Sequence, residues 1–347
     1  MLTKQQLDEI NGFISDGNKI VITTHTNPDG DAVGSSLAVY HYLMEKGAEV
    51  TSIVPNKFPG FYNWLSASNE IIVFETEAKK AKKALLGADL IFCLDYNAVH
   101  RLGAMADLLR TAKGKKILID HHVSPELESF DYVLSDINTS STGELVYDFI
   151  VALGDEELID SKVAECLYTC IITDTGSFSH SCNNPKTYEV MAKLVRKGID
   201  ARRLHGLIYD TFSENRLRLL GFAINDRMLV WEELKTALIY LTKDDLKKYN
   251  YQVGDTEGVV NFALSMEKVN LAVLVTEKDK KIRLSFRSKG DFSVNDLARE
   301  HFNGGGHRNA AGGNLNLPIM DVIDKIRSVL GNYRTELNSN NVSTDAV

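Results

Sequence analysis

The sequence predicts an α/β protein in which an N-terminal parallel sheet flanked by helices is followed by a smaller α/β domain. Three observations support this fold class. The chain has 347 residues, a length that favours two domains. Its first two-thirds alternates short β-rich runs with longer helical patterns. After Arg227 the pattern changes, and strand-like segments dominate.

In the N-terminal part, four segments have the continuous apolar, β-branched composition of strands that are covered on both faces. These strands are predicted at 19–25, 49–54, 89–95 and 115–120. Helices are predicted between them at 32–47, 77–86 and 101–112, with Gly47 as a candidate C-cap of the first. This alternation of strands and helices indicates a parallel sheet.

Residues 141–225 have apolar positions at helical spacing and are predicted to be mostly helical. The strand-like segments beyond them are MLVWEEL, TALIYLT, NLAVLVTEK and KIRLSFRS. A helix at about 293–302, a glycine-rich loop and a last helix near 318–331 complete the chain.

We therefore expect two domains with a cleft between them, in which the active site lies. The predicted divisions are a catalytic domain at 1–190, a helical connector at 191–228, a substrate-binding domain at 229–335 and a disordered tail at 336–347. The tail is assigned from its polar sequence, NSNNVSTDAV.

The net charge of −8, from 39 basic and 47 acidic residues, disfavours binding to long nucleic acid. An acidic protein has few cationic groups with which to release the counterions of a phosphate backbone. A phosphate-containing substrate would therefore need local compensation by arginines, histidines or metal ions.

The chain has four cysteines, Cys93, Cys166, Cys170 and Cys182, which we interpret as reduced thiols rather than zinc ligands or disulfides. The first residues, MLTKQQLDEINGFI, lack the apolar core of a signal peptide. No apolar run has the length of a membrane span, so we expect a cytoplasmic protein.

Acidic residues and histidines follow four apolar segments of the N-terminal part. In an open parallel sheet, ligands bind at the carboxyl ends of the strands. The acidic residues and histidines lie in four motif segments, HTNPDGD (25–31), CLDYN (93–97), ILIDHH (117–122) and IITDTGSFSH (171–180).

Taken singly, three of these segments have a structural alternative. HTNPDGD can be an Asp-Gly turn with a capping Asp, and Asp95 and Asp174 can each cap a helix. The adjacent His121 and His122 are a more specific signal of an active site. Their side chains point in different directions, so one can bind a metal ion while the other faces the substrate. Jointly the segments offer two or more histidines and five or more carboxylates, a set that suits a pair of manganese, magnesium or zinc ions. A bridging carboxylate would hold such ions about 3.5–4 Å apart.

In this order, HTNPDGDAVGSS, CLDYN, DHH and TDTGSFSH resemble the four motifs of the DHH phosphoesterase family. GGGHRNAAGG (304–313) resembles the glycine-rich signature of the DHH-associated C-terminal domain. Within the family, the length and layout resemble the bifunctional oligoribonucleases and pAp phosphatases, also called nanoRNases. The resemblance covers nearly the whole chain.

The resemblance implies two divalent ions, with Mn²⁺ as the first choice and Mg²⁺ or another divalent ion as the alternative. It implies that His25 and Asp29 bind one ion, that Asp31, His121 and Asp174 bind the other, and that Asp95 bridges them. Asp120 would orient a histidine, and His122 would act on the phosphate as a donor or acid. Thr24 stands where relatives often carry an aspartate, so one supporting carboxylate is missing.

Substrate recognition is expected from the C-terminal domain. The five glycines of GGGHRNAAGG predict a loop, rather than a packed element, whose free backbone amides approach an anionic group. A flexible connector is the alternative. The candidate phosphate-binding residues are Arg101, Arg287, Gly305, Gly306, His307 and Arg308, and a surface salt bridge is the alternative for Arg287.

The implied activity is hydrolysis of short oligoribonucleotides, dinucleotides and 3'-phosphoadenosine 5'-phosphate (pAp). The alternatives are an inorganic pyrophosphatase or exopolyphosphatase, and a nucleotide sensor without turnover. We expect small nucleotides or short RNA or DNA oligomers as partners, rather than long nucleic acid or a membrane. The oligomeric state is left open, with a homodimer as one option.

Overall fold

The computed structural model describes residues 2–15, 17–278 and 281–339. The chain divides into two compact units, Met1–Thr211 and Phe212–Val347, and each is described here by itself. The division falls inside the range 191–228, for which the sequence predicts a helical connector.

The first unit contains a six-stranded sheet with the order β3-β2-β1-β4-β5-β6, in which every pairing is parallel. Its strands are β1 (Lys19–Thr24), β2 (Glu49–Val54), β3 (Ile72–Val73), β4 (Leu90–Leu94), β5 (Lys115–Asp120) and β6 (Tyr132–Ser135). The four predicted strands are confirmed. The two missed strands lie at the edges of the sheet and are too short to give a clear pattern.

In the described part of this unit, eight α-helices accompany the sheet. They are α1 (Lys4–Ser15), α2 (Gly30–Glu45), α3 (Phe74–Leu86), α4 (Ala106–Thr111), α5 (Thr142–Ala152), α6 (Ser161–Asp174), α7 (Pro185–Arg196) and α8 (Ala201–Tyr209). Successive side chains of β1 point to opposite faces, so Ile20 and Ile22 pack in one hydrophobic cluster and Val21 packs in another. The sheet is therefore covered on both faces, as the apolar strands predict.

Helices α2, α5 and α6 pack closely against one another. A Cβ atom added to Gly143, at the start of α5, would lie 2.2 Å from the Cβ of Cys170 on α6. Only glycine allows this approach, which brings the first turn of α5 against the first turn of α2.

The second unit has its own six-stranded sheet, with the order β11-β12-β10-β9-β8-β7. Its strands are β7 (Met228–Trp231), β8 (Thr236–Leu241), β9 (Leu271–Glu277), β10 (Ile282–Ser288), β11 (Gly305–His307) and β12 (Ala310–Leu315). The β8–β9 pairing is parallel and the others are antiparallel. Its helices are α9 (Glu214–Asp226), α10 (Lys243–Lys248), α11 (Val259–Leu264), α12 (Val294–His301), α13 (Ile319–Gly331) and α14 (Arg334–Ser339). The predicted second core and separate sheet are both present.

The glycine-rich segment differs from its prediction as a loop, because it forms the β11–β12 hairpin. A Cβ on Gly304 would lie 1.8 Å from the carbonyl oxygen of Gly312, so the glycines permit close strand packing rather than flexibility. The amides of Gly304 and Gly306 already donate to the carbonyl of Ala298 and the side chain of Asn295, which contradicts the prediction of free amides at these two positions.

Two further predictions concern the chain ends and the cysteines. Residues 336–339 of the predicted disordered tail lie in α14, and 340–347 lie outside the described residues. All four cysteines are free thiols, and three of them are buried. Among the described residues, the helices are too short or too polar to span a lipid bilayer.

Candidate metal centre

The four motif segments of the first unit meet at one end of its parallel sheet. His25 follows β1, Asp95 follows β4, and Asp120, His121 and His122 end or follow β5. Asp31 lies in the first turn of α2, which Asp29 caps by accepting hydrogen bonds from the amides of residues 31 and 32. Asp174 is the last residue of α6.

Among the described residues, three groups of three candidate ligands share Asp95, and two of them consist entirely of residues that the sequence predicts as metal ligands. The donor atoms of His25, Asp29 and Asp95 lie within 4.8 Å of one another, as do those of Asp31, Asp95 and His121. A carboxylate oxygen of Asp174 lies 3.3 Å from Nε2 of His121, which adds it to the second group. The six residues that the sequence predicts as metal ligands are thus brought together.

The histidine of the first group is oriented by its neighbour. His25 Nδ1 lies 2.8 Å from the carbonyl oxygen of Thr26, a distance at which it donates a hydrogen bond. Nε2 is then left facing Asp95 Oδ2 at 3.2 Å and Asp29 Oδ1 at 3.8 Å. Burial lowers the pKa of His25, but the hydrogen bond to Asp95 and the charge of Asp29 outweigh it, so the pKa is raised overall. A cation among these acceptors would have the same favourable effect as a proton.

Asp31 is a buried carboxyl group whose orientation is fixed by the backbone. It is 1% exposed, and burial together with the negative charges of Asp95 and Asp174 raises its pKa well above the ordinary value. Nevertheless, both of its oxygens accept backbone hydrogen bonds, from the amide of Thr142 at 2.7 Å and that of Gly143 at 2.9 Å. A carboxylate that is fixed in this way among other carboxylates is stabilised by a cation.

The shared carboxylate has an unusual backbone. Asp95 is 2% exposed and has a φ of 63°, in the left-handed region that non-glycine residues seldom adopt. Its amide donates a hydrogen bond of 3.1 Å to the carbonyl oxygen of Ile119 on the neighbouring strand, and this bond fixes the turn. Such conformations concentrate at functional sites, where the surrounding structure stabilises them.

Asp120 and His122 form a pair beside the candidate ligands. Asp120 Oδ1 lies 2.7 Å from Nδ1 of His122, and Asp120 Oδ2 accepts the amide of the same residue at 3.0 Å. Asp120 and His122 also lie close enough to Asp95 to form a third possible ligand group. The hydrogen bond between Asp120 and His122 explains why these two side chains are so close together. Burial and the charge of Asp95 raise the pKa of Asp120 to about 7.

The donor chemistry fits divalent metal ions. Buried carboxylate oxygens and imidazole nitrogens converge, and burial lowers the pKa of His121, which favours the neutral ring that metals require. Carboxylate-rich sites with histidine suit manganese and related ions. The structure gives no preference for one metal, and the identity of each ligand stays a prediction.

The predicted substrate residues are distributed over both units. In the first unit, the carbonyl of Arg101 accepts a hydrogen bond from the amide of Thr26 at 2.8 Å. Burial has the largest effect on the pKa values of Asp95 and His121, and the positive charge of Arg101 makes a smaller contribution that lowers both. In the second unit, Arg308 donates two hydrogen bonds to the carbonyl of Asp291. The remaining ones lie on β10 (Arg287) and β11 (Gly305, Gly306, His307).

The sequence did not reveal the role of the first turn of α5. Thr142 and Gly143 bind Asp31, and the Thr142 hydroxyl donates to Asp95 at 3.1 Å. The residues STGE (141–144) match a capping box, which signals the start of a helix. That pattern predicts the helix but not which carboxylate its free amides bind.

Comparison with known proteins places this geometry in a family. Residues 19–171 match the DHH family, N-terminal domain, and residues 235–333 match the DHHA1 domain. The bifunctional oligoribonuclease and PAP phosphatase NrnA of Bacillus subtilis is 28% identical over 299 residues, covering 85% of this chain and 89% of that protein.

Solved structures agree with this grouping. An exopolyphosphatase-related protein from Bacteroides fragilis is 39% identical with a TM-score of 0.90, and the match covers 97% of this chain and 100% of that one. RecJ from Thermus thermophilus, crystallised in complex with Mn²⁺, is 12% identical with a TM-score of 0.52. That match covers 95% of this chain and 55% of the RecJ chain, and it shows a shared fold alone.

Proposed function

The chain belongs to the DHH family and is a phosphoesterase, and from this premise we propose that it hydrolyses short oligoribonucleotides, dinucleotides and pAp with two divalent metal ions. The observation that carries the proposal is the pair of ligand groups that share Asp95. One shared carboxylate between two three-residue groups is the arrangement of a two-metal hydrolase.

The bound ions would supply charge stabilisation to a phosphate group and activate a water molecule. The protein's own residues would hold and orient that group. His25 and Asp29 would hold one ion, whereas Asp31, His121 and Asp174 would hold the other, with Asp95 in contact with both. We propose Mn²⁺ as the physiological ion.

His122 would act on the substrate rather than on the metals. Its Nδ1 is engaged by Asp120 at 2.7 Å, which fixes the orientation of the ring. When both nitrogens carry a proton, a ring held in this way can present its other nitrogen as a hydrogen-bond donor to a phosphate oxygen. Arg101 would add positive charge on the same side, since its charge already acts on His25 and Asp95.

Short substrates are supported by the charge of the chain and by its relatives. A net charge of −8 disfavours long nucleic acid. The B. subtilis relative is named for oligoribonucleotide and PAP hydrolysis. In this proposal Arg287, His307 and Arg308 of the second unit, with Gly305 and Gly306, bind the substrate phosphate. A cytoplasmic location and a homodimer also stay predictions.

A second candidate activity is the hydrolysis of polyphosphate or pyrophosphate. It is favoured by the B. fragilis structure, which is 39% identical and is named an exopolyphosphatase-related protein. The same ligand set would serve either activity, so the substrate must be decided by assay. A sensor without turnover is disfavoured, because all six predicted ligands are present and converge.

A substrate panel tests the proposal. The purified protein is assayed with Mn²⁺ on pAp, on a set of dinucleotides and short RNAs, on pyrophosphate and on polyphosphate, with chelator as the control. We expect turnover of pAp and dinucleotides that chelator abolishes. Faster turnover of polyphosphate or pyrophosphate would establish the second candidate, and hydrolysis that resists chelation would contradict the metal-dependent reaction.

A further inference from the structure

The segment 139–144, which leads from β6 into α5, contacts three candidate ligands and is called the clamp segment here. The amides of Thr142 and Gly143 bind Asp31, and the hydroxyl of Thr142 donates to Asp95 Oδ1 at 3.1 Å. His121 forms a hydrogen bond with the backbone of Thr139. One short stretch of chain therefore contacts ligands of both metal groups.

We propose that Thr142 is a positioning residue that keeps the two groups of metal ligands in a fixed position relative to each other. Its backbone amide fixes Asp31, which belongs to the second group alone, and its hydroxyl fixes Asp95, which belongs to both. This inference rests on the proposed function, because it assigns Thr142 a part in binding the two ions.

The hydroxyl acts on the oxygen of Asp95 that faces the second group. Oδ2 of Asp95 lies 3.2 Å from His25, whereas Oδ1 lies 3.7 Å from Nε2 of His121 and accepts the Thr142 hydroxyl. The left-handed backbone of Asp95 needs support from surrounding contacts, and the Thr142 hydroxyl supplies one of them at Oδ1. Hydrogen bonds to ligating carboxylates commonly tune metal affinity.

The clamp segment is itself anchored by a buried carboxylate. Glu144 is fully buried, and its Oε2 accepts hydrogen bonds from the hydroxyls of Ser140 at 2.5 Å and of Thr187 on α7 at 2.9 Å. Its Oε1 has no hydrogen-bond partner among the described residues. An anchor without access to water keeps Thr142 in place and limits the motion of its amide and hydroxyl.

Two substitutions test the hydroxyl. Thr142→Val removes it at nearly the same size and keeps the backbone amide, whereas Thr142→Ser keeps the hydroxyl. Thr169→Val is the matched control, because Thr169 is also fully buried and its hydroxyl donates to a helix carbonyl, that of Glu165, at 2.8 Å. Thr142→Ala serves if the valine variant does not fold.

Mn²⁺ binding without substrate is the primary measurement, by titration calorimetry and by the electron paramagnetic resonance signal of coupled Mn²⁺ pairs. We expect Thr142→Val to bind Mn²⁺ about ten- to a hundredfold more weakly and to lose the coupled signal. Thr142→Ser and Thr169→Val should match the wild type. The thermal unfolding temperature of the metal-free proteins shows whether a loss reflects general destabilisation.

Kinetics separate positioning from substrate contact. Because Thr142 is assigned no contact with substrate, excess Mn²⁺ should restore the kcat of Thr142→Val, and KM for pAp at saturating metal should be unchanged. Wild-type Mn²⁺ affinity in Thr142→Val would overturn the inference, as would an equal loss in Thr169→Val. If the wild type itself binds no Mn²⁺ pair and hydrolyses no phosphoester, the proposed function fails, which is a different result.

Discussion

Asp95→Asn should abolish metal-pair binding and turnover while leaving the fold intact. The side chain is almost isosteric, and its oxygen can still accept the hydroxyl of Thr142, so packing changes little. What is lost is the negative charge that both ligand groups share. At 4 Å and an effective dielectric constant of about 20, one pair of unit charges contributes about 4 kcal/mol.

That energy corresponds to a factor of about a thousand in affinity, since about 1.4 kcal/mol is tenfold. Asp95 lies in both ligand groups, so binding of each ion should weaken by at least this factor. We expect kcat/KM for pAp to fall by at least about three orders of magnitude at fixed Mn²⁺ concentration. Bound manganese, measured by mass spectrometry after gel filtration, should fall in parallel.

The stability of the same variant gives an internal check. The charge of Asp95 raises the pKa values of Asp31 and Asp120, which means that the carboxylates repel one another without metal. Burial raises the pKa of Asp95 itself, but its hydrogen bond to His25 and the charges of His25 and His121 outweigh this effect, so the pKa is lowered. Because the charge of Asp95 is stabilised in the fold, removing it should leave the metal-free unfolding temperature unchanged or lower it. The rise that Mn²⁺ causes in the wild type should disappear, because ligand binding no longer stabilises the folded state. A variant that keeps two Mn²⁺ ions and activity within tenfold of the wild type would refute this reasoning.

Three further predictions address recognition, packing and thiol chemistry. His307→Ala and Arg287→Ala should each lower kcat/KM for pAp about ten- to a hundredfold by raising KM, with metal content unchanged; wild-type kinetics would remove these residues from substrate binding. Gly143→Ala should cost about 1–3 kcal/mol in chemical denaturation, because its Cβ would lie 2.2 Å from that of Cys170, and an unchanged midpoint would contradict this packing. Burial raises the pKa of Cys93 to about 12, so this thiol stays protonated at pH 8. It should therefore resist iodoacetamide in the native protein and react after denaturation. Rapid labelling of the native protein would show that the thiol is accessible.

The ligand positions could be predicted from sequence because they follow strands whose apolar character is strong. β4 is buried throughout, and β1 and β5 each end in a run of buried residues. The polar side chains that follow these runs must lie at one edge of a parallel sheet. Asp174 could be predicted in a similar way, because it is the last residue of α6 and follows the apolar run of that helix. The resemblance to a known family then gave each residue a role, and those roles remain predictions.

The contacts of the clamp segment could not be predicted in this way. They depend on where the amides at the start of α5 lie relative to Asp31, which is 111 residues away from Thr142 along the chain. That distance is set by the close packing of α5 against α6, which Gly143 permits. Spacing along the sequence carries no information about such packing.

The glycine-rich segment was predicted wrongly for a related reason. Five glycines suggest a loop with free backbone amides when a sequence is considered locally, but here they allow the β11–β12 hairpin to pack against its neighbours. The amides of Gly304 and Gly306 are used inside the unit, so a substrate phosphate would depend on side chains more than on these two amides.

A crystal structure of the protein grown with Mn²⁺ tests the two-metal proposal most directly, through the anomalous scattering of manganese. We predict two peaks, one contacting His25, Asp29 and Asp95 and the other contacting Asp31, Asp95 and His121, with Asp95 shared. The Asp95→Asn crystal, grown in the same way, should lack at least one of them. A wild-type crystal with manganese bound elsewhere, or with no peak in contact with Asp95, would contradict the proposal.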